Sequence, residues 1–207
     1  MIQVKQIATV RTESGDEQTI VERARDGDLG AFDILIQRYQ DQVFSVACRL
    51  LGNEDDAADV AQDVFLACFR HLKNYRGDAK LSTWLHRITV NTVKNLWSRR
   101  KRQGYEVTDS LEESDDSDDP PLAESLADPA PSPRRVAAGT EIARVIERKL
   151  QEIEPEFREV IVLRFIEGLS YEEIAEITNE PLGTVKSRIF RARRALKDRM
   201  QDYLQEL

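Results

Sequence analysis

Apolar residues recur along most of this chain at three- and four-residue intervals, the period of an α-helix. Between residues 29 and 51 the positions Phe32, Leu35, Ile36, Tyr39, Val43, Phe44, Val46, Ala47 and Leu50 form a wide apolar stripe, which predicts one long helix. A shorter helix over residues 16–26 precedes it and ends at Gly27. Gly52 suits the C-terminal cap of the long helix, because glycine enters the left-handed region without steric cost. Asn53 or the acids Glu54 to Asp56 then start a third helix, with negative charge where the helix dipole favours it. That helix carries Ala57, Val60, Ala61, Val64, Phe65, Ala67, Cys68 and Leu72. The loop 74–80 breaks the pattern, and Ser82 reads as the N-cap of a fourth helix over residues 83–102.

Helical periodicity returns near residue 140. Leu169-Ser170-Tyr171-Glu172-Glu173-Ile174 has the form of a capping box: Ser170 and Glu173 can each satisfy the other's backbone amide, while Leu169 and Ile174 staple the entry. The helix this starts, 171–178, is two turns long; Asn179-Glu180 makes the turn, and Pro181 fits the first position of the next helix. So short a connection makes the two helices cross steeply, which is a helix-turn-helix. On the second helix Val185, Ile189, Ala192, Leu196 and Met200 should face inward. Between residues 184 and 199 seven basic side chains stand against one acid, Asp198. Lys186, Ser187, Arg188, Arg191 and Arg194 lie away from the apolar row, where such side chains can pair with phosphates or read guanine edges in the major groove.

The formal charge of −8 on 207 residues argues against a DNA binder until its distribution is read. Ten acids and no Lys or Arg fall between residues 104 and 133, and removing those ten leaves +2 on the rest. That stretch, to about residue 139, is rich in Pro, Ser and Ala and reads as a flexible acidic linker. The expected organisation is a tail over 1–15, a helical bundle over 16–103, the linker over 104–139 and a second bundle over 140–207. The fold class is all-α: two small helical bundles joined by a flexible linker, the C-terminal one a helix-turn-helix. No apolar run reaches the roughly 18 residues of a membrane span, and nothing in residues 1–15 reads as a signal peptide, so the expected location is the cytoplasm with no membrane partner. Cys48 and Cys68 sit in apolar helical patterns and read as buried, reduced thiols.

A second cluster of candidate nucleic-acid contacts lies around the start of the fourth helix. Tyr75 and Arg76 are in the loop; Trp84, His86 and Arg87 follow; Asn91 and Asn95 are four residues apart with Lys94 beside them, and Arg99 to Arg102 close the helix. Aromatic rings among cations suit unpaired bases, which always offer a face for stacking. A loop with Gly77 can form a pocket for an extruded base. Trp84 reads equally as a core anchor, with Leu85, Ile88 and Leu96 near by. The third helix shows an acidic, amide-rich face of Asp55, Asp56, Asp59, Gln62 and Asp63, which repels DNA and suits either a basic protein partner or solvent.

Together these motifs resemble the extracytoplasmic-function (ECF) sigma factors of bacterial RNA polymerase. Residues 59–65, Asp-Val-Ala-Gln-Asp-Val-Phe, are similar to that family's polymerase-binding helix. Residues 75–78 and 83–91 are similar to its promoter-melting segment, and residues 169–175 and 183–188 to its DNA-reading module. The resemblance implies that Asp59, Gln62, Asp63 and Phe65 bind the clamp helices of the polymerase largest subunit. It implies that Tyr75, Arg76, Gly77, Asp78, Lys80, Trp84, Arg87, Asn91 and Asn95 recognise and open the minus-ten element. It assigns Thr184, Lys186, Ser187, Arg188, Phe190 and Arg191 to the minus-35 element, with the polymerase flap as a further contact of that domain. The linker would thread the channel destined for RNA, and an anti-sigma protein is the family's usual regulator. No cofactor or metal and no enzymatic activity are implied.

A stand-alone helix-turn-helix regulator is the alternative. It accounts for the C-terminal module but leaves the cluster at residues 75–102 and the acidic linker without a use, and it predicts a dimer on palindromic half-sites, for which the sequence offers no seam. His71 and His86 have no partners suited to catalysis, and no glycine-rich phosphate loop is present.

Overall fold

The computed structural model describes residues 14–102 and 144–205. Both stretches are helical, so the all-α class holds among the described residues. The expected linker over 104–139 and most of the expected tail lie outside them. Helix α1 (Ser14–Arg25) starts two residues before its expected position.

Helix α2 (Leu29–Leu51) follows the predicted stripe from end to end. Asp28 caps it by accepting the Ala31 N–H at 3.1 Å, and Arg23 holds the same carboxylate from α1 at 2.6 Å. Gly52 takes the left-handed conformation, φ +71°, and its N–H reaches the Cys48 carbonyl at 2.7 Å. Asn53 is the cap of α3 (Glu54–His71), accepting from Asp56 N–H. Leu72, expected inside that helix, instead belongs to a 3-10 turn, Leu72–Asn74, where it is buried. Helix α4 (Leu81–Arg102) corrects the Ser82 cap. The Lys80 carbonyl already accepts from Trp84 N–H, so the helix begins at Leu81. Burial of Leu81 and Thr83 pulls the first turn into the core, which no side-chain cap signal announces.

The C-terminal part comprises α5 (144–151), α6 (Pro155–Ile161), a π turn over Val162–Ile166, α7 (Tyr171–Thr178) and α8 (Leu182–Gln205). The capping box forms as read: Glu173 N–H donates to Ser170 Oγ at 3.1 Å and Ser170 N–H to Glu173 Oε2 at 2.8 Å. Leu169 and Ile174 are buried beside it. Asn179 turns the chain with φ +57°. Pro181 stands one residue earlier than expected: its carbonyl accepts the Val185 N–H, which makes it the residue before the helix. Its missing N–H is harmless at either position.

The two bundles pack directly on each other. α6 and the π turn meet α2, α7 meets α4, and one apolar cluster runs through both. Arg158 on α6 is the tie. Its guanidinium donates to the carbonyls of Leu150 (2.8 Å), Gln151 (2.9 Å) and Ile153 (3.1 Å), and across the seam to Leu50 at 2.7 Å. It therefore satisfies the open carbonyls at the ends of α5 and α2 together. Gln151 adds a bond to the Arg49 carbonyl at 2.8 Å.

Candidate nucleic-acid and partner interfaces

Helix α8 presents one face inward through Val185, Ile189 and Ala192. Opposite them Lys186, Ser187, Phe190 and Arg191 are exposed and Thr184 is half-buried. Phe190 is 51% exposed, an apolar ring set between cations on an open helix face. Arg188 lies on the same turns but is held: its side chain is 14% exposed, with Nη1 2.6 Å from Glu180 Oε2 and Nη2 3.5 Å from Glu156 Oε2.

Around α4, Arg87, Asn91 and Asn95 form an exposed row at one-turn spacing. At its start the Trp84 ring lies 5.2 Å from the Tyr75 ring, tilted by 44°. The Tyr75 hydroxyl donates to the Ala79 carbonyl at 2.6 Å and closes the loop on itself. Gly77 at the tip has φ +80°, a conformation most side chains resist. Arg76, Gly77, Asp78 and Lys80 are exposed around that tip. Trp84 serves both readings: it is half-buried, packed on the core along one edge and set against Tyr75 along another. All nine expected minus-ten residues thus share one loop and one helix face. His86, named beside them, faces the other way and is buried.

His86 belongs to the seam. Its Nε2 faces Glu167 Oε2 at 3.2 Å, and Gln42 Nε2 donates to the same oxygen at 3.2 Å. Burial pushes the Glu167 carboxyl upward, but the bonds from His86 and Gln42, with the charges of His86 and Arg49, outweigh it and hold it below 4.5. A carboxyl lowered by folding contributes stability that is complete above its unfolded value and is lost as pH falls through its folded value. The denaturation midpoint of the full chain is therefore expected to drop on acidification below about 4.5, the ordinary glutamate value, and Glu167→Gln should flatten that part of the profile. An unchanged profile in Glu167→Gln would remove this carboxyl from the seam's energetics. A second buried acid, Glu159, is pushed up by burial against the pull of Lys94, whose Nζ sits 2.9 Å away on α4.

On α3, Asp59, Gln62 and Asp63 are exposed and Phe65 is half-buried. Beside them lies an apolar groove of about 640 Å³ between α2 and α3, lined by Phe32, Ile36, Phe44, Phe65, Leu66 and Phe69 among others. Leu66 is 53% and Phe69 49% exposed, and Phe69 meets Phe32 edge-on at 5.1 Å. Periodicity places Phe32, Ile36 and Phe44 in the core stripe and does not distinguish Leu66 and Phe69. The available signal was the width of the apolar surface on α2 and α3, more than one core face needs. Of the two cysteines, Cys68 is buried and Cys48 half-buried; burial pushes the Cys68 thiol up to about 12, which makes it unreactive.

Comparison with known proteins accounts for both halves. Residues 35–103 match the Sigma-70 region 2 family and residues 143–196 match Sigma-70 region 4. The RNA polymerase sigma-H factor of Pseudomonas aeruginosa is 38% identical over 190 residues, 92% of this chain and 96% of that protein. The ECF RNA polymerase sigma-E factor of Escherichia coli K12 is 38% identical over 186 residues, 89% of this chain and 94% of the relative. Among solved structures, CnrH in complex with the cytosolic domain of CnrY aligns over 90% of this chain and 97% of the other, with TM-score 0.60 and 27% identity. The sigma factor RpoE of Bartonella quintana, in complex with the anti-sigma factor NepR, aligns over 82% and 96% with TM-score 0.59 at 23% identity and shares the fold. The two matched regions, one in each helical stretch, define a promoter-recognition factor of the sigma-70 class. Within that class the chain belongs to the ECF sigma factors of RNA polymerase.

Proposed function

We propose that this chain divides promoter recognition between its halves in the way its exposed surfaces are divided. The observation that carries the reading is the separate clustering of two unlike faces, an aromatic–amide–cation cluster on α4 and its loop and a basic face on α8. Unpaired bases of the minus-ten element stack on Tyr75 and Trp84 and bond to Asn91 and Asn95, while Arg76, Lys80 and Arg87 meet phosphates and the loop at Gly77 and Asp78 forms the pocket. The face of Thr184, Lys186, Ser187, Arg188, Phe190 and Arg191 docks in the major groove of the minus-35 element. Asp59, Gln62, Asp63 and Phe65, with the groove beside them, take the clamp helices of core polymerase, and the C-terminal domain also meets the flap. The domain divisions 16–103 and 140–207 and the linker role of 104–139 belong to this reading.

In this reading the chain catalyses no covalent step; it supplies binding energy that opens duplex DNA for the polymerase. It acts in the cytoplasm, with the polymerase. No described helix is long and apolar enough to cross a membrane. A separate anti-sigma protein fits as regulator, NepR being the partner in the Bartonella quintana complex.

The test adds the full chain to core polymerase with a promoter library and scores transcript starts. Specific initiation above core polymerase alone is expected. No gain, together with tight binding of the chain alone to palindromic duplex, would favour the stand-alone regulator instead. Asn91→Ala should slow promoter opening by roughly 10- to 100-fold, the worth of one or two base contacts, while upstream duplex binding survives. A pre-melted template should restore it; failure to do so would remove Asn91 from the melting surface.

A further inference from the structure

The first turns of α8 hold their side chains in two environments. Lys186, Ser187, Phe190 and Arg191 stand in solvent. Arg188 is folded back: Nη1 donates to Glu180 Oε2 at 2.6 Å, and Nη2 lies 3.5 Å from Glu156 Oε2. Its charge also acts on the carboxyl of Glu159, which is 1% exposed on α6. Glu180 sits in the turn between α7 and α8, directly after left-handed Asn179. One guanidinium thus joins the turn, α6 and the recognition helix.

We propose that Arg188 is a positioning residue: it sets the angle of α8 through Glu180 and the α6 carboxylates, and base selection falls to Lys186, Ser187, Phe190 and Arg191. The inference rests on assigning α8 to the upstream element. A guanidinium–carboxylate bond this short and this sheltered is among the stronger polar contacts a protein makes. Drawing Arg188 into the groove would strip the counter-charge from Glu180 and weaken that of buried Glu159, and a guanine edge would have to offset both losses. Arg191, three residues on and exposed, offers the same group without that cost. The pairing also explains an acid in the turn of a DNA-docking motif. Unneutralised, Glu180 would repel the phosphates that the turn approaches.

The test uses core polymerase loaded with the full chain, and a promoter library first selected with wild type and then randomised across the upstream element alone. Arg188→Ala should lower binding about tenfold at every upstream sequence, with the rank order of sequences unchanged. Glu180→Gln should give a similar uniform loss, and the double variant should lose no more than either single. The exchange Glu180→Arg with Arg188→Glu should regain most of the loss, which a lost base contact could not. Arg191→Ala should reorder preferences at one or two base positions. Circular dichroism at the assay temperature checks that each variant is folded; if Arg188→Ala is not, Glu180→Gln and the exchange decide. Loss of discrimination at a single base position in Arg188→Ala, with Glu180→Gln silent, would make Arg188 a base reader and overturn the proposal, as would an exchange that restores nothing. A wild-type holoenzyme that selects no upstream sequence overturns the assignment of α8 itself, and this proposal with it.

Discussion

Replacing Arg158 with alanine will lower the unfolding midpoint of the full chain by about 10–15 °C, the equivalent of roughly 3–5 kcal/mol from the cavity and the carbonyls left unbonded. The side chain is buried, and desolvation brings the guanidinium down to about 10, a sign of what its burial costs. Four carbonyl bonds offset that cost. Alanine leaves those carbonyls without that donor, three of them in buried positions, and leaves a cavity as well. Arg158→Met separates the two effects, since it fills most of the volume and donates nothing. A calorimetric midpoint within about 3 °C of wild type for both variants would show that the four bonds contribute little. Of the four Arg158 bonds, the one to Leu50 crosses the seam, so a domain-separation probe, such as energy transfer between dyes on the two bundles, should report opening in both variants.

The second large effect is expected at the groove. Leu66→Asp should weaken binding to core polymerase by roughly 30- to 1,000-fold, the range of 2–4 kcal/mol typical of a central interface residue. Leu66 is half exposed in the free chain, so folding should change by no more than about 0.5 kcal/mol. A labelled chain titrated with core polymerase measures the first quantity and a thermal melt the second. Wild-type affinity in Leu66→Asp would remove the groove from the polymerase interface and leave only the acidic face of Asp59, Gln62 and Asp63 to carry it.

How much of this was legible in the chain depended on whether each signal was local. Gly52, Asn53, Ser170 and Glu173 act within a few residues of themselves, and the helix ends they specify stand where the sequence put them. Leu81 shows the opposite case. Its helix starts early because the side chain buries against distant residues, and a carbonyl cap from Lys80 has no side-chain signature. The nine residues proposed for the minus-ten element could be read as one cluster because helical spacing alone aligns Arg87, Asn91 and Asn95. The groove could not, because an apolar position at helical spacing looks the same whether a partner or the core covers it. Leu66 and Phe69 differ from Val64 and Cys68 only in exposure. The tethering of Arg188 was hidden for a related reason: Glu180 reads as a turn residue, and nothing in the spacing joins Glu156 to Arg188 until α6 is placed against α8. Gln42 and His86 meet where α2 packs on α4, and only the packing of the two bundles brings Glu167 to them.

The seam has a further consequence when treated as a binding equilibrium between tethered parts. Helices α4 and α5 are separated by the 41 residues 103–143, and under the proposed linker role of 104–139 a tether of that length would hold one bundle at a local concentration on the order of 1 mM around the other. A contact with a dissociation constant of about 0.1 mM in separate chains would then be about 90% closed in this one. Any partner that engages only the separated halves would need to contribute only about 1.4 kcal/mol to bring open and closed forms to balance, and each further increment of that size would shift the ratio tenfold. Single polar pairings across the seam, such as Lys94–Glu159, can therefore set how readily the molecule opens.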